Sequence, residues 1–215
     1  MVVFRKRVAL LEKYKPKQER AKRTHAAILT AAAELLVEVG VESLSTNIVA
    51  KRARVSVPAL YRYFPNKHAI LNALSAAYMD KHTAVVQQWV DEHLGQDDLL
   101  LLVNNIGDLL ARIYAATREQ VGGLEVVQAV RAVAALREVR LAAHESTSNQ
   151  LATAVAEILC RPVDELMMTQ ARLTIASTYA VVEAALEEDS LSAESMLSEG
   201  ARMLQLYWQS ALCAD

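Results

Sequence analysis

A short segment near the N-terminus carries hydroxyl, phenol and cationic side chains whose chemistry suits contact with DNA. Hydroxyl groups and lysine bind phosphate oxygens, which are the partners available to Ser56 and Lys67. Arg62 can read the edge of a guanine, and Pro58 and Ala59 can contact the methyl group of a thymine. Such contacts require a local fold that turns these side chains outward.

Residues 46–64 have the spacing of two short helices joined by a sharp turn. Val49 and Ala53 are four residues apart and share one helical face, whereas Leu60 and Tyr63 are three apart and share another. This layout is typical of a helix-turn-helix, in which the second helix lies in the major groove of DNA.

Capping residues indicate where both helices begin. Ser45 or Thr46 can accept a hydrogen bond from a free backbone N–H of the first helix, and Ser56 can do so for the second. Pro58 then falls in the first turn of the second helix, where its missing N–H costs little. The alternative is a helical hairpin in a core, but buried hairpins seldom carry so many cations. The cations around this turn are Arg52, Arg54, Arg62 and Lys67.

Arg54 occupies the turn position at which a left-handed backbone is usual and glycine is favoured. Any residue other than glycine in this left-handed conformation lowers the stability of the fold by on the order of 1 kcal/mol. Two interpretations remain open. Either the guanidinium of Arg54 reaches a phosphate, or the turn differs slightly and the side chain is simply solvated.

The composition predicts an all-α protein. The 215 residues are 53% hydrophobic and include 6 Gly and 4 Pro, so long segments lack helix breakers. We expect a basic N-terminal arm over residues 1–17, a helix-turn-helix domain over 18–66, and a helical ligand-binding and dimerisation domain over 67–215. The arm either follows DNA or is a disordered tail.

The formal net charge of −2 conceals an uneven distribution. Residues 1–67 hold 14 Lys and Arg against 5 Asp and Glu, whereas residues 68–215 hold 9 against 20. A basic region that coincides with a helix-turn-helix indicates nucleic-acid binding, and an acidic remainder would repel DNA. The two parts therefore have different tasks.

Several other classes of protein are disfavoured. Cys160 and Cys213 are too far apart in sequence to suggest a metal cluster, so we interpret both as buried thiols in a reducing cytoplasm. No signal peptide and no 18-residue apolar run is apparent, which predicts no membrane association. The five histidines form no Glu-x-x-His pair, and there is no phosphate-binding glycine loop, so we expect neither an enzyme, nor a metal, nor a cofactor.

The rest of the chain predicts further helices with defined breaks. The first helix should end at Gly40, and Asn66 should cap a fourth helix that begins near Lys67. Later helices are expected over about 97–117 and over a segment that ends near residue 143. After a bend near His144, another is expected over 145–159. The last two are expected over 162–188 and 191–212. The last two are rich in small residues interspersed with Met and aromatics, which favours a homodimer through a four-helix interface over packing within one chain.

The N-terminal motif resembles the DNA-binding domain of TetR-type transcriptional regulators. The residues that carry the resemblance are Ile28-Leu-Thr-Ala-Ala-Ala-Glu-Leu-Leu, Gly40, Ser45-Thr46, Ile48-Val-Ala50, Val55-Ser56 and Leu60-Tyr61-Arg-Tyr63-Phe64-Pro-Asn66-Lys67. The match covers residues 20–71, and the remainder matches only in helical layout and length. The resemblance implies a homodimeric repressor that binds a palindromic double-stranded DNA operator and that a small molecule releases.

The resemblance also implies roles for individual residues. Thr46 and Lys67 would contact phosphate, and the second helix of the motif would lie in or beside the major groove. The candidate DNA-contacting residues are Ser45, Thr46, Arg54, Ser56, Pro58, Ala59, Tyr61, Arg62, Tyr63 and Lys67. Arg54 stands where the family usually has glycine, which affects the detail of the turn.

The effector is the least defined part of the prediction. We expect a mostly apolar pocket with a few polar anchors, and each candidate has the alternative of being an ordinary core or surface residue. The candidate ligand-binding residues are His82, Trp89, Asn105, Tyr114, Tyr179 and Glu183. A DNA-coating or architectural helix-turn-helix protein with a purely dimerising C-terminal domain is the alternative function.

Overall fold

The computed structural model describes residues 18–94 and 99–212, except for the side chains of Leu94, Ala211 and Leu212. The predicted arm and Cys213 lie outside the described residues. The described part is all-α, as predicted, with ten α-helices and one 3-10 helix. The α-helices are α1 (Glu19–Ser43), α2 (Thr46–Arg52), α3 (Val57–Tyr63), α4 (Lys67–Leu94), α5 (Leu99–Asn104), α6 (Ile106–Arg118), α7 (Gly123–Ala132), α8 (Arg137–Ile158), α9 (Glu165–Glu187) and α10 (Ala193–Leu212), and the 3-10 helix is Ala134–Leu136.

Two predicted helix boundaries differ from the structure. The segment expected to be one helix over about 97–117 is divided between α5 and α6, because the backbone leaves helical geometry at Asn105, whose amide nitrogen donates to the carbonyl of Leu101 at 2.8 Å. The bend expected near His144 is absent, since α8 runs through that position. The break lies earlier, at Val133, whose backbone is extended.

The chain divides into two compact units. In the described part, the first unit comprises residues 18–78 and 120–140, so it includes the first turns of α4 and all of α7. Helix α7 packs on α1, and Gly122 before it has φ +70°. A Cβ atom on Gly122 would lie 2.9 Å from the carbonyl oxygen of Ala33, so only glycine fits this approach.

The core of the first unit is built from the apolar faces of its helices. Its largest fully buried side chains include Ile28, Leu36, Leu44, Leu60, Phe64 and Ile70. By length and composition alone, α1 is the one helix among the described residues that is long and apolar enough to cross a membrane. Its buried residues pack in this core, and α1 contacts α2 and α7.

The second unit comprises residues 79–119 and, from residue 141, the rest of the described chain. Trp89 is fully buried in a core to which α4, α5, α6, α8, α9 and α10 contribute. Helices α9 and α10 approach closely at Gly200, where a Cβ atom would lie within 3 Å of both methyl groups of Val181. The indole of Trp208 donates to the hydroxyl of Thr174 at 2.9 Å, which fixes the same pair of helices.

Helix α8 ends in a turn that corrects the prediction for Cys160. The backbone of Cys160 is left-handed at φ 50°, and the N–H of Arg161 donates to the carbonyl of Ala156. This hydrogen bond from the residue after the turn closes the helix end and directs Cys160 outward. Cys160 is therefore exposed rather than buried.

Candidate functional site

The two helices of the motif form where the sequence predicts them, each with a serine cap. The hydroxyl of Ser45 accepts from the N–H of Ile48 at 3.5 Å, so Ser45 rather than Thr46 caps α2. The hydroxyl of Ser56 accepts from the N–H of Ala59 at 3.3 Å and caps α3. These bonds satisfy backbone donors that the helix itself leaves unpaired.

The turn between α2 and α3 has the left-handed residue that the sequence predicts. Arg54 has φ 55°, its N–H donates to Lys51 at 3.2 Å, and the N–H of Val55 donates to the carbonyl of Ala50 at 3.0 Å. This pair of bonds is the usual closure of a helix by a left-handed residue. The side chain of Arg54 is exposed and forms no ion pair or hydrogen bond with the described residues.

Helix α3 presents one buried face and one exposed face. Leu60 and Tyr63 are buried in the first unit, and the ring of Tyr63 lies edge-on to His25 with 6.0 Å between centroids. The opposite face exposes Tyr61 and Arg62. Ser56 and Pro58 are also exposed, and Ala59 is half-buried. Tyr63 thus packs in the core, and we omit it from the proposed DNA surface.

Thr46 and Tyr61 connect the start of α2 to the exposed face of α3. The hydroxyl oxygen of Thr46 lies 3.1 Å from the phenol oxygen of Tyr61, within hydrogen-bonding distance. Thr46 is half-buried and Tyr61 exposed, so both oxygens belong to one polar surface. Nothing in the sequence pattern indicated this contact, because the two residues lie on different helices.

Lys67 forms hydrogen bonds within the fold that the sequence pattern did not predict. Its ammonium group donates to the carbonyl oxygens of Val41 and Glu42, at 3.3 and 3.1 Å. These carbonyls are left over at the end of α1, where Gly40 departs from helical geometry at φ 70°, and a cation stabilises such a helix end. Lys67 therefore joins α4 to α1.

The cations around the turn divide into one that is paired with carboxylates and others that are not. The guanidinium of Arg52 donates to Glu34 at 3.2 Å and to Glu38 at 2.8 Å. The hydrogen bond and charge of Arg52 hold the pKa of Glu38 below its usual value. Arg52 thus links α2 to α1, whereas the exposed cations Lys51, Arg54 and Arg62 form no ion pair with the described residues.

The family model for bacterial regulatory proteins of the tetR family matches residues 28–74. The matched residues begin in α1, include both helices of the motif and end in α4, so the match coincides with the geometry described above. Residues 28–74 are therefore a domain of the bacterial tetR regulatory family. The matched domain contains the helix-turn-helix and does not extend into the second unit.

The chain is similar in sequence to tetracycline repressor proteins over short stretches. It is 47% identical over 57 residues to the tetracycline repressor protein class G of Vibrio anguillarum, covering 26% of this chain and 27% of that protein. It is 44% identical over 66 residues to the tetracycline repressor protein class A from transposon 1721 in Escherichia coli, covering 30% and 31%. The matches thus span less than a third of these relatives.

Solved structures extend the similarity of fold to most of the chain. A TetR-family regulator from Streptomyces coelicolor superposes with a TM-score of 0.63 at 22% identity, over 87% of this chain and 98% of that one. SmeT, the repressor of the Stenotrophomonas maltophilia multidrug efflux pump SmeDEF, superposes with a TM-score of 0.66 at 17% identity, over 88% and 92%. At these identities the comparison establishes the fold alone.

In the second unit, two of the predicted ligand residues lie together. The imidazole of fully buried His82 stacks on the ring of Tyr179, with 5.7 Å between centroids and 14° between planes. His144, which was not predicted, stacks on Tyr179 at 4.7 Å and 4°. Three rings from α4, α8 and α9 therefore form one stack.

A hydrogen bond to Thr117 fixes the protonation of His82. The hydroxyl of Thr117 lies 2.9 Å from the carbonyl of Ile113, to which it donates its proton, and 3.1 Å from Nε2 of His82. Nε2 must then carry the proton that Thr117 accepts, which makes Nδ1 an acceptor in the neutral ring. Burial, with a smaller contribution from the charge of Lys81, lowers the pKa of His82 to about 4, so the ring is neutral at pH 7.

The other predicted ligand residues have mixed surroundings. Trp89 is a core side chain whose ring lies 4.8 Å from that of His93. Tyr114 is half-buried, and the guanidinium of Arg118 lies 5.6 Å from its ring centroid. Glu183 is buried one turn after Tyr179, whereas Asn105 marks the break between α5 and α6. The structure thus brings His82 and Tyr179 together and leaves Asn105 with a local backbone role.

Helices α9 and α10 leave an apolar groove of about 540 Å³ on their outer side. Its lining residues include Ser177, Ala180, Val181, Ala184, Met196, Gly200 and Met203. Large apolar side chains are exposed on the same two helices, namely Leu166, Leu173, Met203, Leu206 and Tyr207. The small residues predicted to form an interface therefore fall into two groups. Some line the groove, whereas Ala171, Thr174, Ala185 and Ala201 are buried within the unit.

Proposed function

We propose that this protein is a ligand-responsive repressor that binds a palindromic operator as a homodimer in the cytoplasm. The observation that carries the proposal is the exposed face of α3, where Tyr61 and Arg62 point away from a core closed by Leu60. Arg62 has the donors to read a guanine, while Ser56 and Thr46 have hydroxyls for phosphate. Residues Ser45 and Lys67 support this surface from within the fold.

Dimerisation through α9 and α10 follows from their exposed apolar surface. Leu173 and Met203 are each about half exposed, at 53% and 50%, beside a groove whose small residues admit another helix. Contiguous apolar surface of this kind is a recognised mark of protein interfaces. A dimer places two copies of α3 at two half-sites, about 34–36 Å apart, so each reads one successive turn of DNA.

The effector site that we propose lies in the second unit around the stack of His82, Tyr179 and His144. The neutral imidazole and the hydroxyls beside it supply a few polar anchors within a largely apolar interior. Helix α4 carries His82 and begins at Lys67, beside the end of α1. A ligand releases DNA only if it binds the DNA-incompatible state more tightly than the other state.

The proposal is tested by measuring the mass of the free protein and of its DNA complex by light scattering. We expect two chains per operator, and we expect Met203→Glu to give monomers that bind DNA weakly. The matched control is Leu141→Glu, which places the same charge on an exposed apolar residue of α8. Equal masses for wild type and Met203→Glu would contradict the proposed interface, and one chain per operator would contradict the dimer.

A further inference from the structure

Two buried hydrogen-bond donors of the second unit have no acceptor among the described residues. The indole nitrogen of Trp89 on α4 is fully buried and makes no hydrogen bond within the described part of the chain. The hydroxyl of Thr178 on α9 also lacks a described partner, and this residue is 1% exposed. Burying a donor without a partner lowers stability, and an indole N–H can only donate. Both groups can therefore gain a hydrogen bond from an acceptor on a bound molecule.

Comparable groups nearby are paired, which makes these two donors exceptional. Thr174 lies one turn before Thr178 on α9, and its hydroxyl donates to the carbonyl of Gln170 at 2.8 Å. The same hydroxyl accepts from the indole of Trp208 at 2.9 Å. One threonine and one tryptophan thus satisfy each other within the fold, whereas Thr178 and Trp89 do not. Buried indole N–H groups usually have a partner in folded proteins.

The two donors lie on the helices that form the proposed effector site. His82, Val86 and Trp89 are buried at spacings of four and three residues, so they share one face of α4. Seven residues of helix separate His82 from Trp89 by about 10 Å along the axis. Thr178 directly precedes Tyr179, whose ring stacks on that of His82. The donors and the ring stack therefore belong to the interior of the same unit.

This interior is unsuited to an ionised ligand. The buried side chains in the described part of the second unit include no Lys or Arg, and Glu183 provides a buried carboxyl. The imidazole of His82 is neutral, because burial lowers its pKa. An anion would lie among apolar side chains without a cation, which is costly, and a cation would gain nothing from donors.

We propose, on the basis of the effector site proposed above, that the effector is a neutral, largely apolar carbonyl compound, such as a ketone, ester or quinone. Trp89 and Thr178 donate hydrogen bonds to its oxygen atoms. A carbonyl oxygen accepts from N–H and O–H groups and adds no charge to the interior. Neither donor gives up a partner within the described fold, so each new bond adds directly to affinity.

The test is titration of the full chain, without DNA, with compounds that differ only in the acceptor. One set is acetophenone, isopropylbenzene and benzoate, and the other is 2-octanone, 2-methyloctane and heptanoate. We expect at least one ketone to bind about tenfold or more tightly than its matched hydrocarbon and carboxylate, because two hydrogen bonds are gained. In nuclear magnetic resonance spectra, that ketone should shift the indole N–H signal of Trp89, assigned with Trp89→Phe. The signal of Trp208, already bonded to Thr174, provides the internal reference.

Two threonine variants separate a ligand contact from a structural role. Thr178→Val replaces a hydroxyl without a described partner by a methyl group, so the free protein should unfold at a higher urea concentration. Its affinity for the ketone should fall about two- to tenfold, while that for the hydrocarbon stays unchanged. The matched control is Thr174→Val, which removes two hydrogen bonds and should lower the urea midpoint.

Several results would overturn the proposal. These are failure of both ketones to bind, equally tight binding of a matched hydrocarbon or carboxylate, and ketone binding that leaves the Trp89 signal unmoved. A lower urea midpoint for Thr178→Val would show that its hydroxyl is satisfied within the fold, which also overturns it. Release of operator DNA is measured separately. A ketone that binds through Trp89 without releasing DNA would contradict the effector role and support the ligand class.

Discussion

The hydroxyl oxygen of Thr46 lies 3.1 Å from the phenol oxygen of Tyr61, although the two residues are on different helices of the motif. Thr46 is the first residue of α2, and Tyr61 lies on the exposed face of α3. The contact limits the rotation of the Tyr61 side chain before DNA arrives. A side chain held in place loses less conformational entropy when it binds, which favours a role for Tyr61 in reading sequence.

Replacing Tyr61 by Ala should weaken binding to the operator much more than binding to unrelated DNA. A base contact contributes about 1–3 kcal/mol of discrimination, which corresponds to roughly five- to 150-fold in specific affinity. Fluorescence anisotropy with operator and scrambled duplexes measures both affinities. Tyr61→Phe is the matched control, since it keeps the ring and removes the hydroxyl that contacts Thr46. Equal losses for both DNAs would exclude Tyr61 from sequence reading.

Replacing Arg54 by Gly separates the two interpretations of that residue. Glycine adopts φ 55° without the steric penalty of a side chain, so we expect stabilisation by about 0.5–1 kcal/mol in urea unfolding. If the guanidinium binds a phosphate, the variant should also reduce the slope of log affinity against log salt by about 1. An unchanged slope would assign Arg54 to solvent. A loss of stability would contradict the strained left-handed turn.

Gly122 should tolerate substitution less well than Gly40, although both have φ +70°. A Cβ atom at Gly122 would lie 2.9 Å from the carbonyl oxygen of Ala33, whereas one at Gly40 has nothing within 4 Å. Gly40→Ala should therefore cost only the backbone strain of about 1–2 kcal/mol, and Gly122→Ala should cost about 1–3 kcal/mol more. Urea unfolding of both variants measures the difference. Equal costs would show that α7 does not pack tightly on α1.

Stability should fall on acidification because His82 is buried in its neutral form. Its pKa is lowered to about 4 in the folded chain, mainly by burial, while a histidine in the unfolded chain has its ordinary pKa of 6.5. The unfolded state therefore binds more protons between these values, and stability is lost as the pH falls through this window. We expect His82 to contribute about 2 kcal/mol to the loss between pH 7 and pH 5.

Urea unfolding at pH 7 and pH 5 measures the contribution of His82 when wild type is compared with His82→Gln. The variant lacks the titrating ring, so its loss of stability between the two pH values should be smaller by that amount. An identical pH dependence would show that His82 is accessible to protons in the folded state. His93, which is half-buried beside Trp89, provides a control substitution on the same helix.

Local sequence patterns predicted the helix-turn-helix but not the contacts between helices. The caps by Ser45, Ser56 and Asn66 and the left-handed turn at Arg54 were predictable, because each depends on residues within four positions of one another. The partners of Lys67 and Arg52 lie on α1, 14 to 26 residues away, and no periodicity specifies them. The same limitation applies to the stack of His144 on Tyr179.

The exposed state of Cys160 and the break at Asn105 were missed for a different reason. In both places a local backbone geometry overrides an apolar context. The side chain of Asn105 bonds to the carbonyl of Leu101 and interrupts a helix that Leu-rich flanks favour, and a left-handed turn directs Cys160 outward. Both geometries arise within one or two helical turns, but hydrophobic periodicity alone does not reveal them.

Selection of bound sequences from random duplex DNA by the purified full chain tests the central claim most directly. The proposed dimer with two outward-facing copies of α3 predicts one enriched palindrome, with half-site centres about 10–10.5 base pairs apart. Tyr61→Ala should lose that enrichment while still retaining DNA at low salt. Retention of DNA by wild type with no enriched motif would contradict sequence-specific regulation and support the architectural alternative.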